Sequence, residues 1–497
     1  MEALGLDQPA LDTSHLSDSE VLAETNRLSN ALSTEVSELD KLNELEHLLE
    51  RIWDQEALEA PDVPPDLTAD EQFALDTMKS TRRLIKDVNG NERYEIGIPW
   101  KQNCPSFPRS NYYLIKKRSE VMQKSMLKSP EHREQFRNIL QQWEEAGYSV
   151  RVENFDPNTY PPHNFLNLFP VIRETRTTSK MRIVSDASLK FQGGSLNDQI
   201  LKGPNFMCKV SDVICRMRKE RIALVSDIKE MFLQVKLIEQ DQNYHMFLYP
   251  DSDTGEVLVW KFTSHTFGNT ASPAVAMFCI KERAKELAIQ NDAFKRVADT
   301  VVNSSIMDDM VDSVATVEEA LDLVKKLKIV INSCGMSIHK WITNDPRVLK
   351  SIPESERAPT AIISDKLDPE GKLLIHKGLG MIWLPTGDSM DVITFMYKIE
   401  VPATWTKRQW LKTIAQVYDP TGLILPIIMR GRIKYQGCWI QGWTWDEPIP
   451  NKKFCELLTD WTESLKLLDD LKIPRPLKCS TEVSKVEYFI FTDASQH

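Results

Sequence analysis

The sequence has no uninterrupted apolar stretch of 18 or more residues, which excludes a membrane-spanning helix. The first thirty residues lack a basic start followed by an apolar stretch, so we expect no secretory signal peptide. The eight cysteines include no C-x-x-C pair and no regular spacing, which a zinc site or a disulfide framework would need. We therefore expect reduced cysteines in an intracellular protein. The location we expect is the cytoplasm, with access to the nucleus.

Basic residues are scarce at the beginning of the chain. Residues 1–75 carry 19 Asp and Glu against 3 Lys and Arg, whereas residues 76–497 carry 53 Asp and Glu against 58 Lys and Arg. The net charge of −11 therefore arises in the first segment, which we interpret as an acidic, partly disordered and partly helical extension. Because local patches set the electrostatic field, the total charge neither establishes nor excludes a nucleic-acid partner.

Hydrophobic spacing predicts the elements that follow. Ser129, Pro130 and Gly147 mark the start and the end of one helix within a helical region over 76–160. Strand-like and helical patterns alternate over 161–345, which indicates an α+β domain with a partly antiparallel sheet. A Trp-rich, helix-prone stretch then precedes a final strand-like run.

Two strand-like runs in the α+β domain carry carboxylates. The run 222–232 is apolar up to Asp227 and then passes into helical spacing, and the run 306–311 places Asp308 and Asp309 between apolar residues. Adjacent acids in apolar surroundings are costly unless a cation neutralises them. A tight hairpin that brings Asp308 beside Asp227 would create a site for two Mg²⁺ ions, which prefer carboxylate oxygens.

Each half of this pattern also has a purely structural explanation. A lone strand that ends in Asp usually caps the next helix, and an Asp-Asp pair is usually a turn. The order of the two runs, their apolar flanks and the segment between them favour the metal site.

These motifs resemble those of reverse transcriptases, and in particular those of the Bel-Pao retrotransposon family. Asp227 followed five positions later by Phe232 resembles the first catalytic motif, and the segment 306–309 resembles the Tyr-x-Asp-Asp box with Ile306 in place of Tyr. The turn that begins with Phe267-Gly268 is similar to the turn before a Ser-Pro helix start. Retroviral enzymes have Gln at the first of these two positions, whereas Bel-Pao elements have an aromatic residue.

The resemblance extends from about residue 40 to residue 497. The segment 180–188 resembles the fingers motif whose Arg contacts the incoming triphosphate, which implies that Arg182 clamps the phosphates with Lys180 or Arg176 as a second cation. Further similar segments are 195–198, 203–204, 335–341, 379–383, 406–408, 418–423, 445–446 and 487–495.

The resemblance implies a right-hand polymerase fold and RNA-directed DNA polymerase activity. Deoxynucleoside triphosphates would be added to a primer on an RNA or DNA template, with two Mg²⁺ ions, or Mn²⁺ instead, held by the three aspartates. Phe232 would exclude ribonucleotides by a clash with the 2′-OH, and the turn at Phe267 and Gly268 would let the backbone approach the base pair. The implied segments are 1–75, the extension; 76–160, the helical start of the reverse transcriptase region; 161–345, fingers and palm; 346–485, thumb and connection; and 486–497, the first strand of a truncated ribonuclease H domain.

Other activities are not expected. Asp493 resembles the first acid of ribonuclease H, but one acid cannot hold two metal ions, so we expect no hybrid cleavage. Asp253-Thr254-Gly255 matches a protease signature, but its polar flanks between two strand-like runs favour a hairpin turn. Association with other parts of the polyprotein, in virus-like particles, would follow from the resemblance. The alternative is a catalytically decayed transposon relic that only binds nucleic acid.

Overall fold

The computed structural model describes residues 67–478 with internal gaps. The positions left out of that span are 88, 89, 91, 108, 126, 173–180, 252, 253, 359–375, 379, 380, 385–390, 396 and 398. The extension up to residue 66, Arg176, Lys180, Asp253 and the predicted ribonuclease H strand with Asp493 thus lie outside the described residues. The described residues form two compact units, one of residues 67–394 with 472–478 and the other of residues 395–471.

The first unit mixes helices and strands, as the alternating sequence patterns predict. Its helices are α1 (Ala69–Thr81), α2 (Tyr112–Ser125), α3 (Pro130–Glu145), α4 (Val210–Lys219), α5 (Glu239–Gln242), α6 (Ser272–Gln290), α7 (Lys295–Asn303), α8 (Val317–Asn332) and α9 (Pro346–Ser351). Its strands are β1 (Arg83–Lys86), β2 (Glu92–Ile96), β3 (Ser149–Arg151), β4 (Asn167–Ile172), β5 (Met181–Asp186), β6 (Ile222–Ile228), β7 (Lys236–Leu237), β8 (Met246–Pro250), β9 (Val257–Phe262), β10 (Ser305–Ile306), β11 (Asp309–Val314), β12 (Ile338–Thr343), β13 (His376–Gly378), β14 (Met381–Leu384), β15 (Val392–Phe395) and β16 (Ile473–Pro474).

A four-stranded antiparallel sheet in the order β10-β11-β6-β12 forms the centre of this unit. Strand β6 is apolar on both faces because both faces are covered. Leu224 belongs to the main hydrophobic core together with Leu323 and Leu327 of α8. Val225 faces the other way, into a second cluster with Ile214 of α4. Successive strand residues point to opposite faces, so a continuous apolar run is what a strand covered on both sides requires.

Two of the helices that begin with side-chain caps are α3 and α8, and the first of these starts is the one that Ser129 and Pro130 predict. The Ser129 side chain accepts a hydrogen bond from the backbone N–H of His132, and Pro130 takes the first helical position of α3. Helix α8 follows the central hairpin and begins with a capping box, in which Thr316 and Glu319 exchange side-chain and backbone hydrogen bonds. Both caps satisfy N–H groups that would otherwise lack partners at a helix start.

Smaller sheets flank the centre. Strands β4 and β5 form a hairpin, β3-β9-β8 form an antiparallel sheet, and β2 pairs with β7 in parallel. Strands β8 and β9 are the two strand-like runs on either side of the protease-like tripeptide, and they pair as a hairpin. His245 and His265 are fully buried beside these sheets and bond to the carbonyls of Asp241 and Ile96. Burial lowers the pKa of the two rings to about 4 and about 3, so both are neutral packing residues.

A buried arginine joins the last described segment of this unit to its centre. Arg475 has no exposed surface and forms an ion pair with Asp391. Its guanidinium also donates to the carbonyl oxygens of Met217 at 2.6 Å and Glu220 at 2.9 Å, at the end of α4. Because each of these partners is an oxygen that suits the fork of a guanidinium group, the charge of Arg475 is paired despite its burial.

The second unit contains α10 (Lys407–Ala415), α11 (Leu425–Ile440) and α12 (Lys452–Ser464). Trp405, Trp410 and Trp461 are buried and pack edge to face, with centroid distances of 5.4 and 5.1 Å. These three tryptophans are therefore packing residues, whereas Trp439 is exposed. None of the helices that the structure describes is long and apolar enough to cross a membrane.

Candidate active site

The central hairpin brings the three predicted aspartates to one end of the sheet. Asp309 of β11 is the direct cross-strand partner of Asp227 of β6. Asp308 lies in the turn between β10 and β11, and its carbonyl oxygen accepts a hydrogen bond from the Ile228 N–H at 2.8 Å. Met307 makes this turn possible with a φ of 53°. Directly opposed residues in an antiparallel pair have Cβ atoms about 5 Å apart, so the carboxylates repel one another when they are ionised.

The electrostatics of the aspartates reflect this crowding. Burial, followed by the neighbouring charges of Asp308 and Asp227, raises the pKa of Asp309 to about 7. Burial and then the charge of Asp227 also raise the pKa of Asp308, while the cations of Lys340 and Arg182 act in the opposite direction. The aspartates therefore carry more negative charge than the nearby basic side chains neutralise.

Two basic residues that the sequence analysis did not single out hold Asp227. His339 Nε2 lies 2.7 Å from Asp227 Oδ1, and Lys340 Nζ donates to Asp227 Oδ2 at 2.8 Å. Both residues belong to β12, on the other side of β6 from the Asp-Asp hairpin. The sequence offered no signal for this arrangement, because neighbouring residues of a regular strand point to opposite faces.

The carboxylates suit a divalent cation in type and charge. Mg²⁺ prefers carboxylate oxygens, and a cation would relieve the repulsion that raises the pKa values of Asp308 and Asp309. Among the described residues, however, no three His, Cys, Asp or Glu side chains are gathered closely enough around one point to hold a metal ion. The donor set is therefore present, but its side chains are not arranged as a closed cage.

Arg182 lies on β5, opposite Val171 of β4 in the hairpin register. Its side chain is exposed, and its positive charge opposes the rise in the pKa of Asp308 that burial causes. Arg182 thus lies close enough to Asp308 for the two charges to interact.

Phe232 and Phe267 lie against each other, with ring centroids 4.8 Å apart. Phe232 is 9% exposed and belongs to the main hydrophobic core, whereas Phe267 is 45% exposed. The helical spacing after Asp227 corresponds to a short 3-10 turn, Met231–Gln234, rather than to an α-helix. Glu230, with a φ of 49°, turns the chain sharply between strand and turn.

The turn at Gly268 is fixed by side chains from other elements. Asn197 Nδ2 donates to the Gly268 carbonyl at 2.9 Å, and Asn197 Oδ1 accepts from the Thr270 N–H at 3.0 Å. The Ser185 hydroxyl donates to the Phe267 carbonyl. Asn197 and Ser185 are thus positioning residues for this turn, and the sequence analysis assigned them no contact.

Gly268→Ala should destabilise the protein by about 3 kcal/mol or more, because strain and overlap act together. Gly268 has a φ of 96°, and an added Cβ would lie 2.0 Å from the Ser185 carbonyl oxygen. Gly193→Ala is the matched control: its φ is 89°, but nothing lies within 4 Å of an added Cβ. Urea unfolding should show a loss of only about 1 kcal/mol for this control. Equal losses for the two variants would contradict the close contact.

Asp309→Asn should stabilise the metal-free protein, and more at pH 8 than at pH 5. The folded-state pKa of Asp309 lies at about 7, above its ordinary value of 3.8, so the folded state binds the proton more tightly. The stability from this group is fully present below its ordinary pKa and is lost as the pH rises through about 7. Since the residue is half-buried, the gain at pH 8 should be on the order of 1–3 kcal/mol.

Denaturant unfolding in the presence of a chelator measures this difference. Asp292→Asn serves as the control because Asp292 is exposed. Its effect on stability should therefore not differ between the two pH values in the way that burial causes for Asp309. An equal gain in stability for Asp309→Asn at both pH values would show that burial and the neighbouring carboxylates do not raise the pKa of Asp309.

Residues 406–497 match the family described as Pao retrotransposon-like RNaseH-like domain. The C-terminal part of the chain is therefore similar to a domain of Pao retrotransposons. The match begins at Thr406, directly before α10, so it includes residues that the resemblance in sequence assigned to the thumb and connection. No curated protein matches the chain.

Among solved structures, the foamy viral protease-reverse transcriptase in complex with double-stranded DNA is similar to this chain. The similarity covers 67% of this chain and 47% of that one, with 12% sequence identity and a TM-score of 0.43. The chain thus spans about half the length of that protein.

Proposed function

We propose that this chain belongs to a Bel-Pao retrotransposon polyprotein and is an RNA-directed DNA polymerase that extends a primer with deoxynucleotides. The observation that carries the proposal is the register of the central hairpin, which sets Asp309 opposite Asp227 with Asp308 at the adjoining turn. Three carboxylates at one open end of an antiparallel sheet can receive cations and the phosphates that accompany them. In this proposal the central sheet is the palm, and the β4-β5 hairpin with the β3-β9-β8 sheet belongs to the fingers.

The aspartates are the proposed ligands of divalent cations, Mg²⁺ or Mn²⁺. Bound ions of this kind stabilise the attacking and leaving oxygens of a phosphoryl transfer. Asp227 and Asp309 present their side chains from facing strands, and Asp308 contributes from the turn. The half-buried setting of the two hairpin aspartates strengthens their attraction for a cation, because water screens the charges less than at an open surface.

The remaining predicted site residues have complementary roles. Arg182 has an exposed guanidinium on the β4-β5 hairpin, where it would bind the triphosphate oxygens of the incoming nucleotide. Phe232 and the exposed ring of Phe267 would line the position of the sugar. The Gly268 turn, held by Asn197, would present its backbone to the base pair. Template, primer and deoxynucleoside triphosphates are the proposed partners, together with other parts of the polyprotein.

A primer-extension assay tests the proposal. Purified protein is incubated with a primed RNA template, deoxynucleoside triphosphates and Mg²⁺, and in parallel with a primed DNA template or with Mn²⁺. We expect template-dependent extension that a chelator stops. Binding of the primed template without extension under all of these conditions would instead indicate a decayed relic that keeps only its affinity for nucleic acid.

A further inference from the structure

We propose that His339 and Lys340 form a basic clamp that occupies Asp227 in the metal-free protein, and that a divalent cation must displace Lys340 to bind. The inference rests on the proposed function, because it assumes that Asp227 is a metal ligand. It adds a competition between a side chain of this protein and the metal, which sets how tightly the site binds its ions.

The contacts of Asp227 carry the first step. Its two carboxylate oxygens each have a strong partner, His339 Nε2 at 2.7 Å and Lys340 Nζ at 2.8 Å. A carboxylate oxygen still has a lone pair to offer, but an ammonium group at that distance repels a second cation at the same oxygen. These two contacts of Asp227 therefore oppose the binding of a divalent cation to its carboxylate.

The backbone of β12 shows that the clamp depends on a specific local conformation. His339 pairs with Asp227, but the next paired residue is Ile342 with Val225, so two residues of β12 face one residue of β6. This β-bulge includes Lys340, which has a φ of 53°. Because a regular strand would send adjacent side chains to opposite faces, the bulge is what lets both basic residues reach one carboxylate.

The exposure and flexibility of the Lys340 side chain would allow a cation to displace it. Its side chain is 42% exposed, compared with 23% for Asp227. Its charge acts on Asp308 and Asp309 as well, lowering the pKa values that burial raises. The ammonium group thus supplies part of the positive charge that a metal would bring, and its flexible four-carbon chain can move into solvent without a change of the backbone. His339, which is less exposed, would continue to orient Asp227.

Metal binding can be measured without any catalytic turnover. Mn²⁺ is titrated into the purified protein, and free Mn²⁺ is followed by electron paramagnetic resonance. Lys340→Gln should bind Mn²⁺ about five- to tenfold more tightly than the wild type, since the lost ion pair is only partly buried. Lys340→Arg keeps a cation beside Asp227 and should show no gain. Lys325→Gln removes the same charge from an exposed position on α8 and should also leave the affinity unchanged.

A second variant guards against misfolding. Lys340→Asn also removes the ammonium group, and Asn tolerates a positive φ better than other residues do. Melting temperatures with and without Mn²⁺ provide an independent readout, because a ligand that binds only the folded state stabilises it in proportion to its affinity. Both variants should gain more from Mn²⁺ than the wild type does.

The outcomes separate the clamp from the metal site itself. If Asp227→Asn abolishes Mn²⁺ binding but Lys340→Gln and Lys340→Asn bind as the wild type does, the clamp is overturned and the metal site stands. If neither the wild type nor any variant binds Mn²⁺, the metal site of the proposed function fails and the clamp fails with it. If Lys340→Gln and Lys340→Asn bind Mn²⁺ more tightly than the wild type and the other variants do not, the result supports both the clamp and the metal site.

Discussion

Asp227→Asn should lower the rate of DNA synthesis by about a thousandfold or more while the protein remains folded. The amide keeps the shape of the carboxylate and one oxygen, but it loses the negative charge that a divalent cation requires. Asp308→Asn should have an effect of the same order. Neither change removes a buried apolar contact, since both side chains lie at the end of the central sheet and not in its core.

Single-turnover primer extension, combined with a melting curve for each variant, measures this effect. Asp292→Asn is the matched control, because its carboxylate is 82% exposed and pairs only with the neighbouring Lys295 among its described contacts. Extension by folded Asp227→Asn at a rate near that of the wild type would contradict the assignment of this aspartate to the metal site.

The meeting of the aspartates could be predicted from the sequence because Asp227 follows an apolar strand-like run and Asp308 and Asp309 lie between apolar residues. Strand β6 and the hairpin that begins at β10 can pair in few alternative ways, because both faces of the sheet must be covered. The register was harder to predict. The sequence suggested Asp308 beside Asp227, whereas Asp309 is the direct cross-strand partner and Asp308 lies in the turn. Turn geometry sets the register of a hairpin, and here it depends on Met307 with a positive φ.

The partners of the site residues could not be predicted from local patterns. The basic clamp depends on a β-bulge, and the residue types of β12 do not predict one. Asn197 reaches Gly268 across a large separation in sequence, so its two hydrogen bonds depend on the packing of the whole unit. The 3-10 turn at Phe232 replaces the expected helix because Glu230 adopts a left-handed conformation directly before it.

Phe232→Val should admit ribonucleotides, raising the ratio of ribonucleotide to deoxynucleotide incorporation by roughly a hundredfold. The packed position of Phe232 is the physical reason. Its ring is 9% exposed and lies against Phe267, so it has little freedom to move away from a 2′-OH. A substrate excluded by a packed ring must displace that ring, which is more costly than the loss of one contact.

The burial of Phe232 also supports a competing explanation, in which the residue is only part of the core. Both explanations predict that Phe232→Val lowers stability by roughly 1–3 kcal/mol through the cavity it leaves. Phe278→Val separates them, because Phe278 is a buried core residue of α6 and should lose stability without any change in sugar preference. The incorporation ratio is measured well below the melting temperature of every variant. A lower melting temperature with an unchanged ratio in both variants would leave Phe232 with a packing role alone.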